Sequence, residues 1–566
     1  MNHISSLIGN DVMVSLQFLD LSGSGIEGPI PKTIRNNMTS FSHLDLSQNN
    51  LQGSIPRNIT QLEHLDLRDN HLEGSIPEVF GNMATLACLD LGKNNFSGSI
   101  PLTFENMTST LTHLALNCND LEGFETMNVS NNQIRGNIAD SIINWDSYLE
   151  IYLSSNQLEG GVLMFLFKAT SLHLSRNNFS SINSMCNVTV DSHLSFLTMS
   201  HNQLSWVLSN CWSHFKSFIV VNLANIYELA RKIPTSIGSS TRMQTLRLTN
   251  NKFIGDIPMS LKKCTTLVVM DMGDNKLLGP IPSWIGKRLQ NLVILILRSN
   301  DFNGNIPSTL CHVPHLQLLD FSVNNILGKI LRCLKNFRAL RSSNASGNST
   351  TIKHLYDSYN TSMSSKVRHY ANHIQVIWKG ILSNYGNTLR LVKSIDLSSN
   401  MLNGEIPAEI TELVALISFN LSRNNLSGQI PQHIGYLKSL DSLDFSHNHF
   451  SGQIPPSLAL VDCLSVLDLS NNNLSGKIPT GTQLQSFNAD AYMGNIGLYG
   501  ASLLKRCPRE EEPIAPSEST AKEDYKDEFI SGGFYASRGL VMWSVSWDFV
   551  GCWSSTSHGG LCISNS

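Results

Sequence analysis

Nine aspartates recur along the chain at Asp20, Asp45, Asp66, Asp90, Asp271, Asp320, Asp396, Asp444 and Asp468. Carboxylates held side by side are the apparatus of glycoside hydrolysis, one serving as acid and the other as base or nucleophile. These return in step with the surrounding sequence, so they read as a structural or solubilising ladder rather than a catalytic pair. His447 and His449 have the residue type of metal ligands, but as near neighbours in a polar stretch they read as solvated or capping groups. Gly23 to Gly28 spells G-x-G-x-x-G inside a repeated unit, not between a strand and a crossover helix, so it is no dinucleotide fingerprint. The chain has no H-E-x-x-H, no C-x-x-C and no G-x-x-x-x-G-K-[ST]. Zincin, zinc-ribbon, thioredoxin-type and P-loop chemistry are therefore without support. No cofactor is implied, and the expectation is a non-enzymatic chain. With 40 Lys and Arg against 44 Asp and Glu, the formal charge is −4. That leaves no basic surplus for nucleic acid.

The elements that position these residues come from an internal repeat. Leu44 to Pro56 reads L-D-L-S-Q-N-N-L-Q-G-S-I-P, and close copies run over 65–77, 89–101, 395–407, 419–431, 443–455 and 467–479. The Asn after each L-x-L pair falls at 49, 70, 94, 119, 132, 156, 177, 202, 251, 275, 300, 324, 400, 424, 448 and 472. Weaker units carry Ser24 and Ile226 there. In L-x-L the leucines point one way and the intervening residues the other, as in a short strand with one buried face. The Asn amide donates and accepts, so it satisfies backbone groups inside each coil. One unit cannot bury its own leucines, but stacked units bury them all, so the expectation is a solenoid.

These residues resemble the plant-type leucine-rich repeat, L-x-x-L-x-x-L-x-L-x-x-N-x-L-x-G-x-I-P, over about residues 14 to 508. The resemblance implies an α/β solenoid, a twisted superhelix with a parallel sheet along its inner face. The Asn interval from 324 to 400 is 76 residues, far more than one coil, and Ser342 to Asn387 has no L-x-L pattern. Its place, four repeats before the C-terminal end, matches the island of plant cell-surface receptors. Val376-Ile377-Trp378-Lys379-Gly380, Tyr385-Gly386 and Leu391-Val392-Lys393 resemble the exit from that island in receptor-like proteins of the fungal-xylanase receptor group. The implied organisation is a truncated N-terminus without signal peptide (1–13), repeats (14–341), island (342–390), the last four repeats (391–480), a degenerate C-terminal cap (481–508), an acidic juxtamembrane segment (509–530) and a disrupted transmembrane segment with an aberrant tail (531–566).

Several departures from the family pattern set further expectations. The interval from 119 to 132 is 13 residues, roughly half a coil. The family's cap closes a disulfide within Leu-Cys-Gly; here Leu498-Tyr499-Gly500 stands in its place, so Cys507 is expected to lack its usual partner. Cys311 and Cys333 flank one coil and are either a disulfide or two buried thiols, as Cys264 is expected to be. Beyond Gly533 no run of about 20 apolar residues occurs. A reading-frame shift near Val541 would account for that. No kinase motif follows Pro508.

The sequons are Asn37, Asn58, Asn95, Asn106, Asn128, Asn178, Asn187, Asn344, Asn348, Asn360, Asn420, Asn425 and Asn473, which favours a secreted topology. By register, Arg68, Tyr152, His173, Arg176, Phe196, His201, Arg247 and Arg298 are concave-face ligand candidates, since Arg and aromatics anchor protein interfaces. Lys393, Arg423 and His447 are expected to face a co-receptor. The resemblance implies a single-pass plasma-membrane receptor-like protein. It would bind an extracellular protein or peptide, of pathogen origin in defence, and signal through leucine-rich-repeat receptor kinases. A non-functional receptor remnant and a secreted inhibitor or decoy are the alternatives.

Overall fold

The computed structural model describes residues 16–503, except 33–41, 99–100, 102, 104–112, 117–119, 122–125, 129, 132–133, 138–149, 189–191, 205–207, 209, 227–228, 343–352, 359–365, 372–373 and 387. Each L-x-L forms a three-residue strand, such as His43–Asp45 or Ser442–Asp444. The middle residue of each points into the core, and Leu44, Leu65, Leu246, Leu295 and Leu443 are essentially fully buried. The strands pair in parallel, coil on coil.

A left-handed residue follows each of these strands. Gln48, Asp69, Arg176, His201, Val323, Arg423 and His447 all hold φ between 49° and 60°. Val323 does so although a β-branched side chain avoids this region. The next residue is the repeated Asn, whose amide ties two coils together. Asn49 Nδ2 donates to the carbonyls of Leu46 (3.0 Å), Ser47 (3.0 Å) and, one coil back, Leu21 (2.9 Å). Its Oδ1 accepts the Ile26 N–H at 2.9 Å. The same pattern recurs at Asn177, Asn300, Asn424 and Asn448. A buried polar backbone is affordable only when so satisfied.

The chain then forms an outer strand, such as Asn425–Gln429, and a short 3-10 turn on the convex side, such as Ala408–Glu412. Neighbouring turns touch closely; a Cβ on Gly435 would run into the Ser457 carbonyl. Between described residues, the disulfides Cys311–Cys333 and Cys186–Cys211 bolt successive convex segments. Of the two readings of Cys311 and Cys333, the thiol alternative therefore gives way to the bond. Cys264 is a buried free thiol.

The expected single inner sheet is two among the described residues. A five-stranded sheet ends at His113–Ala115, and a 13-stranded sheet runs from Thr126–Asn128 to Val466–Asp468. The break coincides with the short interval between 119 and 132. A missing half coil leaves the next strand without a partner in register. The Ile226 unit breaks the other side instead. Inner strands Phe196–Thr198, Val220–Asn222 and Thr245–Arg247 stay paired, whereas among the described residues no outer strand lies between Asn178–Ser181 and Ala230–Arg231. Ile226 has no amide oxygen to pin the start of an outer strand, and that is the side it disrupts.

The 76-residue Asn interval leaves the inner sheet intact. Leu318–Asp320 pairs directly with Ser394–Asp396. Between them two antiparallel hairpins form, Lys353–Ser358 with Lys366–Ala371 and Ile374–Trp378 with Ile381–Tyr385. At the far end, Gly497–Tyr499 adds the last outer strand, against Ser475–Lys477. Leu498 is buried, and Asn495 acts as a further rung, its Oδ1 accepting the Leu474 N–H at 3.0 Å. Cys463 is disulfide-bonded, while Cys507 lies outside the described residues.

Candidate ligand-binding face

Two residues of each inner strand, the first and third, point away from the core. The third position carries the aspartates. Each spends Oδ1 on its own turn, accepting the N–H two residues on. Ser47 donates to Asp45 at 2.9 Å, Gly92 to Asp90 at 2.9 Å and Ser470 to Asp468 at 2.9 Å. Such Asx turns explain why the aspartate recurs with the coil. The hydrogen bonds from Ser22 hold Asp20 below the usual carboxylate range, while burial raises Asp66 and Asp444.

The pattern lapses from Ala115 and Asn128 through Arg247, and again at Ile296 and Asn420. Between residues 150 and 247 the third positions become Tyr152, His173, Thr198, Asn222 and Arg247. Tyr152 stacks on His173 with ring centroids 4.4 Å apart, and its hydroxyl donates to Glu150 Oε2 at 3.1 Å. His173 lies 2.8 Å from Ser171 Oγ through Nε2 and 3.2 Å from Thr198 Oγ1 through Nδ1. Burial pushes its pKa down to about 4, so the imidazole is neutral. Arg247 Nε sits 3.4 Å from Asp271 Oδ2. Burial, and then the charges of Arg176 and Arg247, lower His201.

The candidates read from register thus separate into groups. Tyr152, His173 and Arg247 share one column. Arg176, His201, Arg423 and His447 are the left-handed turn residues and stand exposed at the rim of the face. Arg68 is half-exposed with Nη1 4.0 Å from Asp90. Phe196 is not an open anchor; it is buried with Ile219 and Val220. Lys393 donates to the Ser342 carbonyl at 2.9 Å.

Arg298 also departs from expectation. Its Nε and Nη2 donate to Asp274 Oδ2 (3.1 and 3.0 Å), and its Nη1 donates to the Gln375 carbonyl of the second hairpin at 3.2 Å. Nη1 is also 3.7 Å from Asp320. Burial opposes its charge, but the three neighbouring aspartates outweigh it and raise the pKa. Gly273 makes room for it, since a Cβ there would press on Arg298 Cγ. The side chain is buried beneath the insertion and clamps it.

Sequence reasoning missed the partners in this clamp. Asp274, Gln375 and Asp441 carry no motif, Lys379 stands in the island-exit motif without a partner being implied, and their meeting needs the hairpin to fold back. It also missed Cys186–Cys211, for which the one-coil spacing of 25 residues was a usable signal. Among the sequons, Asn95, Asn178, Asn425 and Asn473 begin outer strands and are exposed. Asn58 donates to the Lys32 carbonyl at 2.6 Å, and Asn187 ends a 3-10 turn. Asn420 lies on an inner strand. Asn37, Asn106, Asn344, Asn348 and Asn360, and the side chain of Asn128, lie outside the described residues. Among the described residues no group of His, Cys, Asp and Glu is arranged to hold a metal ion.

The model of the family described as Leucine Rich Repeat matches residues 15–37, 40–62, 61–83, 85–107, 391–413, 415–437, 439–460 and 463–483. The chain is 42% identical over 451 residues to the receptor-like protein EIX2 of Solanum lycopersicum, covering 75% of this chain and 41% of that protein. It is 50% identical over 227 residues to the receptor-like protein EIX1 of the same species, covering 39% and 21%. The chain thus spans less than half the length of either relative. Among solved structures, the ectodomain of the Arabidopsis receptor kinase HAESA, bound to an N-terminally extended IDA peptide hormone, is 26% identical. It aligns with a TM-score of 0.51 over 84% of this chain and 81% of that one.

Proposed function

For a chain that belongs among the plant leucine-rich-repeat receptor-like proteins of the EIX group, we propose that the inner face from Glu150 to Asp271 binds an extracellular protein or peptide ligand. The observation that carries this reading is the lapse of the aspartate ladder. Up to Asp90 and in most coils from Asp271 onward that position keeps an Asp, which serves the turn. From 150 to 247 the outward positions hold a Tyr–His stack and an Arg, which the coil itself does not require. Aromatic and Arg side chains set in a rigid concave surface are effective anchors.

The chain is non-catalytic in this reading and acts at the plasma membrane, passing the signal to leucine-rich-repeat receptor kinases. Arg423 and His447, exposed at the rim of the late coils, face such a co-receptor. HAESA bound to its peptide hormone is a precedent for ligand binding by this kind of ectodomain. Among the described residues no helix is long and apolar enough to cross a membrane.

The test restores the repeat. Y152D, H173D and R247D together return three positions to the residue found elsewhere in the ladder. The full chain and this variant would be compared for binding to purified fungal xylanase by interferometry, and for co-precipitation of receptor kinases from leaf membranes. Binding by the native chain that the variant loses, with melting unchanged, supports the reading. Equal binding by both would sink it.

A further inference from the structure

The hairpin Ile374–Trp378/Ile381–Tyr385 lies down on the inner face and is held at three places. At its open end the Gln375 carbonyl accepts from Arg298. Along its length Ile374 and Val376 bury against Val269, Ile294, Ile296 and Leu318, outward strand residues that water would otherwise reach. At its tip Lys379 Nζ is 3.1 Å from Asp441 Oδ2. Beneath it the ladder aspartates Asp271, Asp320 and Asp396 are 2%, 4% and 7% exposed, while Asp45, Asp66, Asp444 and Asp468 are half-buried and Asp90, on the N-terminal sheet, is buried by its own coil.

The charges in this buried region do not balance. Arg247 is matched to Asp271, and Arg298 is shared by Asp274 and Asp320. Asp396 is the register partner of Asp320 in the next strand. Its Oδ1 accepts the Ser398 N–H (3.0 Å) and hydroxyl (2.6 Å), and its Oδ2 accepts the Asn420 amide at 3.3 Å. Among the described residues no cation lies within ion-pair distance of it. The strand on its other side brings only Asn420, with Asp444 one coil further. The preceding Lys393 reaches the Ser342 carbonyl, Lys379 is engaged with Asp441, and Tyr385 of the hairpin also faces Asp441. Two adjacent buried carboxylates with one shared guanidinium cannot both ionise without cost.

We propose that a proton held by the Asp320–Asp396 pair latches this hairpin onto the inner face, so that the coils beneath it are covered in an acidic medium and uncovered as the medium becomes neutral.

The direction follows from linkage. Burial, and then the Asp320 charge, pushes the Asp396 carboxyl up to about 7. Burial raises Asp320 too, against the pull of Arg298. With the hairpin lifted and water admitted, Asp396 returns toward the ordinary value of about 4. The closed form therefore binds the proton more tightly. Its advantage is complete below about pH 4, falls about tenfold per pH unit above that, and is gone above about pH 7. The latch concerns only the hairpin's position and stands whether or not the face binds the ligand class proposed above.

Hydrogen exchange followed by mass spectrometry on the full chain tests it, with rates corrected for intrinsic pH dependence. Amides of 374–385 should lose about 25-fold in protection between pH 5.5 and 7.5. D396T keeps a neutral group there at every pH, and Thr already occupies the equivalent position at 198; Asn would create a sequon with Ser398. The D396T hairpin should stay protected throughout, while D45T, in the same ladder but on the separate N-terminal sheet, should follow the native chain. Equal protection of the native hairpin at both pH values overturns the latch, as does a D396T hairpin that loosens with pH like the native one. Should D396T not fold, the native comparison alone decides.

Discussion

The Ile326 N–H is held 3.0 Å from Asn400 Oδ1, although 74 residues separate them. That bond carries the asparagine ladder past the insertion. Asn400 Nδ2 completes the rung by donating to Phe321, Leu397 and Ser398 carbonyls at 2.9, 3.2 and 3.0 Å. The solenoid is thereby continuous where the sequence is not.

Asn400→Ala should therefore be costly, because it strands backbone groups on both sides of the insertion at once. The expected loss is about 2–4 kcal/mol, from unmade bonds to part-buried groups. Denaturant unfolding of the variant against the native chain measures it. A loss below about 0.5 kcal/mol would show that the coils either side of the insertion do not depend on this rung.

Arg298→Met should destabilise by about 3 kcal/mol, since it leaves Asp320 buried without its cation and breaks the clamp on Gln375. Limited proteolysis should then cut within 374–385 sooner than in the native chain. An unchanged cleavage pattern would separate the hairpin from the arginine.

His173 and Asp396 should bend the stability curve in opposite directions. The pKa of His173 is depressed to about 4, so the unfolded chain binds its proton more readily. Stability from this residue is present above about pH 6.5 and is lost as pH falls toward 4, by up to about 3 kcal/mol. The Asp396 pKa is raised to about 7, so its contribution is present at low pH and lost as pH rises toward 7. Unfolding of His173→Gln across pH 4–7 should lack the acid-side loss. A native-like acid slope in that variant would refute the assignment.

The sequons should sort by what their amides already do. Asn420 is spent, its Nδ2 on Asp396 and its Oδ1 on the Ser422 N–H (3.0 Å) and hydroxyl (2.8 Å). Glycopeptide mass spectrometry of secreted chain should find Asn420 unmodified and Asn425 and Asn473, exposed at outer-strand starts, modified. A glycan at Asn420 would mean that the inner strand is made after, not before, transfer.

Much of this fold was legible because the repeat states one coil many times over. The leucine register and the asparagine rungs follow from spacing within or between adjacent coils, whereas spacing left Cys311 and Cys333 open between a bond and two thiols and the structure decided for the bond. Register also placed Tyr152, His173 and Arg247 on the inner face. Asn495 escaped because its coil has lost L-x-L, although its distance of 23 residues from Asn472 fits the ladder. Arg298 and Phe196 were misplaced as open anchors for a different reason. Their outward direction is local, but what lies over them is not.

The sequence by itself determined the coil, because each coil's hydrogen bonds and buried leucines involve only itself and its neighbours. Only the tertiary structure decided what the insertion does, since no period relates Gln375 to Arg298 or Lys379 to Asp441. Those contacts depend on a hairpin folding back over four apolar strand residues, beside the buried Asp320 and Asp396 that pair in register across the insertion.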